Sequence, residues 1–164
     1  MLGGVDPHLL IVWHSRTGAA EAMARAAYEG ASAGALSLAA QQVQPDHLLA
    51  ATGYLFACPE NLASMSGAIK EMFDRCYYPV LGRIEGRPYA TAIAAGSDGT
   101  GAQRQIDRIA TGWRLRRVAE PVIVNLAAQT PEAILAPKIV SEADLARCRA
   151  LGAALVEGLA QGIF

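Results

Sequence analysis

The chain has 164 residues, enough for one domain with its own core, and 52% of them are apolar against 18% charged, which excludes a disordered polar segment. A formal net charge of −1 speaks against a nucleic-acid partner, because such binding rests on clustered Lys and Arg meeting phosphates. Three scattered cysteines (Cys58, Cys76, Cys148) without a CxxC pair exclude a disulfide framework, and no apolar run reaches the roughly 18 residues that a bilayer requires.

The first residues, MLGGVDPHLLIVW, carry no positive n-region and turn polar at His14, so they do not read as a signal peptide and a reducing cytoplasm is expected. His8 to Trp13 (HLLIVW) is a continuous apolar run, as in a strand covered by helices on both faces. Gly18 to Ser32 is Ala-rich, with Met23, Ala26, Ala27 and Gly30 at helical spacing. Ala35 to Val43 is a weaker strand suited to an edge, and Pro45 to Ala50 a short helix. Gly53 to Cys58 (GYLFAC) is the next buried strand, expected to stop at Pro59, which cannot donate to a ladder. A helix is predicted from about Ser66, with Ile69, Met72, Phe73 and Cys76 as its apolar stripe.

Pro88 to Ala95 (PYATAIAA) reads as the fourth strand, broken by the glycine-rich Gly96 to Gly101. The following helix carries Ile106, Ile109, Ala110 and Trp113 on one face. Leu115 to Leu126 holds the fifth strand, with Val122 to Leu126 as its core and Pro121 making the approach irregular. The last helix opens at Ser141 with Asp144 in a capping-box pattern and runs along Leu145, Cys148, Leu151, Gly152, Leu155 and Leu159. No repeat or linker interrupts residues 1–164, so one domain is expected. Strands alternating with helices predict an α/β fold, a three-layer α/β/α sandwich around a five-stranded parallel sheet of order 2-1-3-4-5. In such a sheet ligands sit outside the carboxyl ends of the strands, between strands 1 and 3, which directs attention to the loops after Trp13, Cys58 and Ala95.

The first of these loops, Ser15-Arg16-Thr17-Gly18-Ala19-Ala20, offers hydroxyls, a glycine and a helix N-terminus, a combination that favours an anion. It matches neither GxxxxGK[ST] nor GxGxxG. Taken alone it reads better as an ordinary helix cap; its place after the first strand tips the balance to the anion site. The second loop runs from Pro59 to Gly67, beyond the roughly two to six residues usual between strand and helix, and its polar side chains suit a heterocycle edge. The third, Gly96-Ser97-Asp98-Gly99-Thr100-Gly101, has three glycines that let backbone approach a flat ligand.

Other residues carry weaker signals. Arg104, Arg108, Arg114, Arg116 and Arg117 form a basic run, read as a solvated face that touches an anionic cofactor at most at its edge. His14 adjoins the first loop and reads equally as a strand-end polar residue, His47 has no partner at ligand spacing, and no His/Cys/Asp/Glu cluster predicts a metal site. Cys58 ends a strand where a nucleophile could sit, yet it lacks a small-residue elbow and reads as a buried hydrophobe. Trp113, Tyr77 and Tyr78 suit a core or a subunit interface, with Tyr77 and Tyr78 placed to line an entrance. A receiver domain would need an Asp where Cys58-Pro59 stands, and a small tyrosine phosphatase a Cys where the first loop has Trp13-His14-Ser15.

Ser15-x-Thr17-Gly18 resembles the phosphate loop of flavodoxin-like proteins, near [ST]-x-T-G-x-T, with Ala20 in place of the last hydroxyl. PENLASMSGAIK (59–70) followed by EMFDR (71–75) is similar to the second loop and helix of NAD(P)H-dependent FMN and quinone reductases, the WrbA-like group among them. The likeness runs over nearly the whole chain. It implies an FMN-dependent oxidoreductase that takes electrons from NAD(P)H and passes them to a quinone or similar small acceptor. It places Ser15, Arg16, Thr17, Gly18, Ala19 and Ala20 around the FMN phosphate. Pro59, Glu60, Asn61 and Leu62 would follow along the ribityl and ring edge, with Gly96, Ser97, Asp98 and Gly99 on the other side. Carrier flavodoxins of this kind sandwich the ring between aromatics, whereas this second loop has only Leu62 and Met65, so an open flavin face is expected. The flavin carries the redox chemistry, and no catalytic side chain is assigned. A non-enzymatic electron carrier or a partner-binding module is the alternative, and a homo-dimer or tetramer is the expected assembly.

Overall fold

The computed structural model describes residues 8–164; residues 1–7, on which the leader reading partly rests, lie outside the described residues. Strands β1 (Leu9–Trp13), β2 (Ala35–Ala39), β3 (Gly53–Asn61) and β5 (Pro88–Ala95) lie parallel in the order β2-β1-β3-β5. The last position of the sheet is shared by two short strands. Arg116–Arg117 (β6) pairs with Pro88 and Tyr89, and Val122–Asn125 (β7) pairs with Ala92 to Ala95. The expected five-strand order therefore holds, with its fifth strand split around Pro121.

Strand alternation divides the core into two layers. Leu10, Val12, Tyr54, Phe56 and Ile93 face α2 (Pro45–Ala50), α3 (Gly67–Val80) and α4 (Thr100–Gly112). Leu9, Ile11, Leu55, Ala92 and Val124 face α1 (Ala19–Ala31) and α6 (Glu142–Gln161). On the second face the helices approach closely because the residues are small: a Cβ on Gly30 would overlap the Arg149 carbonyl, and one on Gly152 the Ala27 carbonyl. Arg87 closes the other face by donating to the carbonyls of Leu48, Leu49 and Ala51 at 3.0, 2.9 and 2.5 Å, which satisfies the C-terminal end of α2.

Three expectations need correction. β3 does not stop at Pro59 but continues to Asn61. The Ala57 carbonyl points toward β1, where it accepts from the His14 amide at 3.0 Å, so by alternation the Pro59 nitrogen also points that way, beyond the last residue of β1. The missing N–H therefore removes no ladder bond. β2 ends at Ala39, and Ala40–Gln42 is a 3-10 turn. At α6 the Ser141 hydroxyl accepts from the Asp144 amide at 3.2 Å, but the Asp144 carboxylate meets the Ser141 hydroxyl at 3.0 Å and not its backbone amide, so the capping box is half formed. Two elements were not anticipated: β4 (Ser64–Met65), which folds back antiparallel on the end of β3, and α5 (Pro131–Leu135). Among the described residues no helix is long and apolar enough to cross a membrane.

Candidate functional site

An open cleft lies at the carboxyl edge of β1, β3 and β5. Ser15, Arg16, Thr17, Ala19 and Ala20 form one wall, Pro59, Glu60 and Asn61 a second, and Gly96 with Ala94 and Ala95 a third. The fold thus brings the three loops singled out in the sequence to one place. Gly18, Leu62, Ser97, Asp98 and Gly99 do not line it. Ser97 gives its carbonyl to the Asn125 side chain at 2.8 Å, and Asp98 holds the Thr100 hydroxyl at 2.9 and 2.8 Å.

Gly18 shapes the first wall. At φ 99° it turns the chain into α1, and its amide donates to Ser15 Oγ at 3.0 Å. Beyond that bond no side chain among the described residues accepts from the first amides of α1, and Ala19 and Ala20 line the cleft. Arg16 is exposed, lines the cleft and makes no ion pair among the described residues.

Glu60 shapes the second. Its carboxylate accepts from the Gly99 amide at 2.9 Å and the Ala102 amide at 3.0 Å, and so caps α4. Gly99 has φ 98°, the same left-handed turn as Gly18. Gly101 lies so close to the second loop that a Cβ there would overlap the Ala63 carbonyl. Gln105 adds a third tie, accepting from the Ser64 hydroxyl at 2.7 Å and the Met65 amide at 2.9 Å. Between the paired Asn61 and Ser64, Leu62 and Ala63 both have positive φ (52° and 59°), the conformation of a two-residue hairpin turn. Leu62 is 100% exposed at its tip.

The sequence missed a fourth wall, made by Leu126, Ala128, Ile134 and Lys138. The Leu126 amide donates to Ala95 O at 2.8 Å and the Ala128 amide to Gly96 O at 2.9 Å, which carries the chain across the cleft. α5 then forms, with Thr130 Oγ1 accepting from the Ala133 amide at 3.2 Å and Pro131 opening the helix. Thr130-Pro131 was the available signal. The Lys138 amide closes the wall by donating to Thr17 O at 2.8 Å.

His14 sits behind the first loop with Nδ1 2.9 Å from the hydroxyl of buried Ser66, joining β1 to the start of α3. Burial and then the Arg16 charge lower its pKa below the usual 6.5. Burial pushes the Cys58 thiol up to about 12, so it belongs to the core and is not a nucleophile. His47 is a local cap, its Nδ1 accepting from the Gln44 amide at 2.9 Å. Among the described residues no group of His, Cys, Asp and Glu is placed to hold a metal.

Two expectations about the surroundings are corrected. Arg114, Arg116 and Arg117 lie with β6 at the start of β5, at the sheet edge opposite the cleft, where Arg117 pairs with Asp107 at 3.0 Å. Neither they nor Arg104 and Arg108 line the cleft. Tyr77 and Tyr78 occupy the far end of α3 and also lie away from it. Tyr77 stacks on Trp113 with ring centroids 6.2 Å apart, and Trp113 meets Phe73 edge-on at 5.2 Å.

Among solved structures the chain is similar to a flavodoxin from the domain Archaea, with TM-score 0.75 and 16% identity over 93% of this chain and 98% of that one. It is also similar to a flavodoxin, WrbA-like protein from Agrobacterium tumefaciens, with TM-score 0.71 and 20% identity over 94% and 98%. The rubredoxin oxygen:oxidoreductase of Desulfovibrio gigas matches with TM-score 0.75 and 13% identity over 96% of this chain, which spans 38% of that larger one. These likenesses establish a flavodoxin-like fold. No curated protein matches the sequence. The family described as NADPH-dependent FMN reductase matches residues 39–129, from the end of β2 through the second and third loops to the start of the fourth wall. With more than half of its length matched in this way, the chain belongs to the NADPH-dependent FMN reductase family.

Proposed function

We propose that the protein is an FMN-dependent oxidoreductase that takes electrons from NAD(P)H and passes them to a quinone or similar small acceptor. The observation that carries this reading is the first turn of α1, whose Ala19 and Ala20 line a cleft at the β1–β3 switch point and whose amides meet no carboxylate among the described residues. The residues fit the cofactor. Gly18 leaves space above the turn, since a Cβ there would meet nothing nearer than the Lys138 carbonyl at 3.9 Å. The first amides of α1 and the free Arg16 suit a phosphate.

Bound FMN would supply the two-electron chemistry, accepting hydride and releasing electrons to the acceptor. The chain's part is to hold and to expose. Ser15 fixes the Gly18 turn, and the amides of Ala19 and Ala20 with Arg16 bind the phosphate. Pro59 and Asn61 follow the ring edge, and the Asn61 side chain has no hydrogen-bond partner among the described residues, which leaves its amide for a heterocycle. Glu60 touches the cofactor with backbone alone, since its carboxylate is engaged on α4. Residues 59–67 contain no aromatic, and this supports an open ring face on which a nicotinamide can stack. Exposed Tyr78 and Leu81, remote from the cleft, support a homo-oligomer as the working assembly.

An anaerobic spectrum of the FMN-loaded protein tests the proposal. Loss of the oxidised-flavin band within seconds of adding NADPH or NADH is the expected result. A band that persists with FMN still bound would contradict it and assign the protein to electron carriage between separate partners.

A further inference from the structure

We infer that Lys138, between α5 and α6, binds the phosphate of the cofactor; this rests on the FMN reading above. A phosphate monoester carries about −1.5 to −2 charges at neutral pH, so one cation does not balance it. The loop that receives it is short of a donor, because Ala20 stands where the flavodoxin-like pattern has a hydroxyl. Arg16 supplies one positive charge at the cleft. Lys138 lines the same cleft from the fourth wall, and its amide is bonded to Thr17 O at 2.8 Å, so its backbone is tied to the loop itself.

The ammonium is held but not neutralised. Nζ donates to the carbonyls of Ile134 at 3.0 Å and Ala136 at 2.5 Å, and a third N–H remains. No carboxylate among the described residues pairs with it. Glu60, the acidic residue of the cleft wall, is occupied by the Gly99 and Ala102 amides. A half-buried cation with neutral partners and a free donor, in the same cleft as the first amides of α1, is an arrangement completed by a dianion. A lysine whose task was only to finish α5 would make the same carbonyl bonds, and the test separates the two roles.

The test compares FMN with riboflavin, which has the same ring and ribityl chain but no phosphate. Dissociation constants are measured by flavin fluorescence for the full-length protein and for Lys138→Met and Lys138→Arg, at low and at high salt. Lys138→Met is expected to weaken FMN roughly 10- to 100-fold while leaving riboflavin within about twofold, and to flatten the salt dependence of FMN binding. Lys138→Arg is expected to keep FMN binding within a few-fold of the parent. Equal losses for FMN and riboflavin would assign Lys138 to holding the wall and overturn the inference. Unchanged FMN binding by Lys138→Met would overturn it while leaving the FMN reading intact. A parent protein that binds no FMN would remove both.

Discussion

Helices α1 and α4 both start from a glycine in the left-handed region, Gly18 at φ 99° and Gly99 at φ 98°, and both direct their first amides to the carboxyl edge of the sheet. At α4 those amides meet the Glu60 carboxylate, supplied by the neighbouring strand at 2.9 and 3.0 Å. At α1 the Gly18 amide is held by the neutral Ser15 Oγ, no carboxylate among the described residues meets the amides that follow, and Arg16 and Lys138 line the same cleft. The same local device thus has two uses. The chain fills one anion site with its own carboxylate, which locks the second loop onto α4, and leaves the other for a ligand.

The comparison can be broken most severely at Gly101. Gly101→Ala places a Cβ on the Ala63 carbonyl, a backbone atom that cannot rotate away, and separates the surfaces that Glu60 joins. A loss of about 3 kcal/mol in urea unfolding is expected. Gly18→Ala meets open space and bears only the left-handed strain, about 1–2 kcal/mol, yet it should weaken FMN because the turn presents the α1 amides. Equal stability losses for the two variants would mean that α1 is not the open end.

Glu60→Gln sharpens the contrast. It removes the charge at α4 while keeping one acceptor, so about 1 kcal/mol of stability should be lost with FMN affinity unchanged. A tenfold loss of FMN affinity would place that carboxylate at the ligand.

The smallest effect is expected at His14. Its pKa is lowered in the folded protein, so below pH 6.5 the unfolded chain binds a proton that the native state resists. Its contribution is fully present above 6.5 and declines as pH falls toward the depressed value. His14→Asn should therefore flatten the stability profile below about pH 6.5. An unchanged slope would mean that His14 is as accessible to protons in the fold as in the unfolded chain.

The strands were legible because both faces of the sheet are buried, so that LLIVW and PYATAIAA read as unbroken apolar runs. The helices were legible from their stripes, and α1 and α6 also from the small residues through which they touch. Pro59 was misread because the cost of a proline in a sheet depends on which neighbour its nitrogen faces, and that is a property of the sheet order. The three loops were found because topology fixes where they meet. The engagement of Glu60 was invisible, since it joins residues about forty positions apart. α5 has no apolar stripe facing a core; only Thr130-Pro131 announced it. Lys138 belongs to no motif, and it reaches the first loop through a backbone bond that sequence spacing cannot suggest.

The most direct test is an amide NMR titration of the full-length protein with FMN, followed at both helix N-termini. Large shifts are expected for the amides of Ala19 and Ala20, small ones for Gly99, Thr100 and Ala102, and loss of the α1 response when riboflavin replaces FMN. Shifts of equal size at the two helices, or an α1 response that riboflavin reproduces, would contradict it.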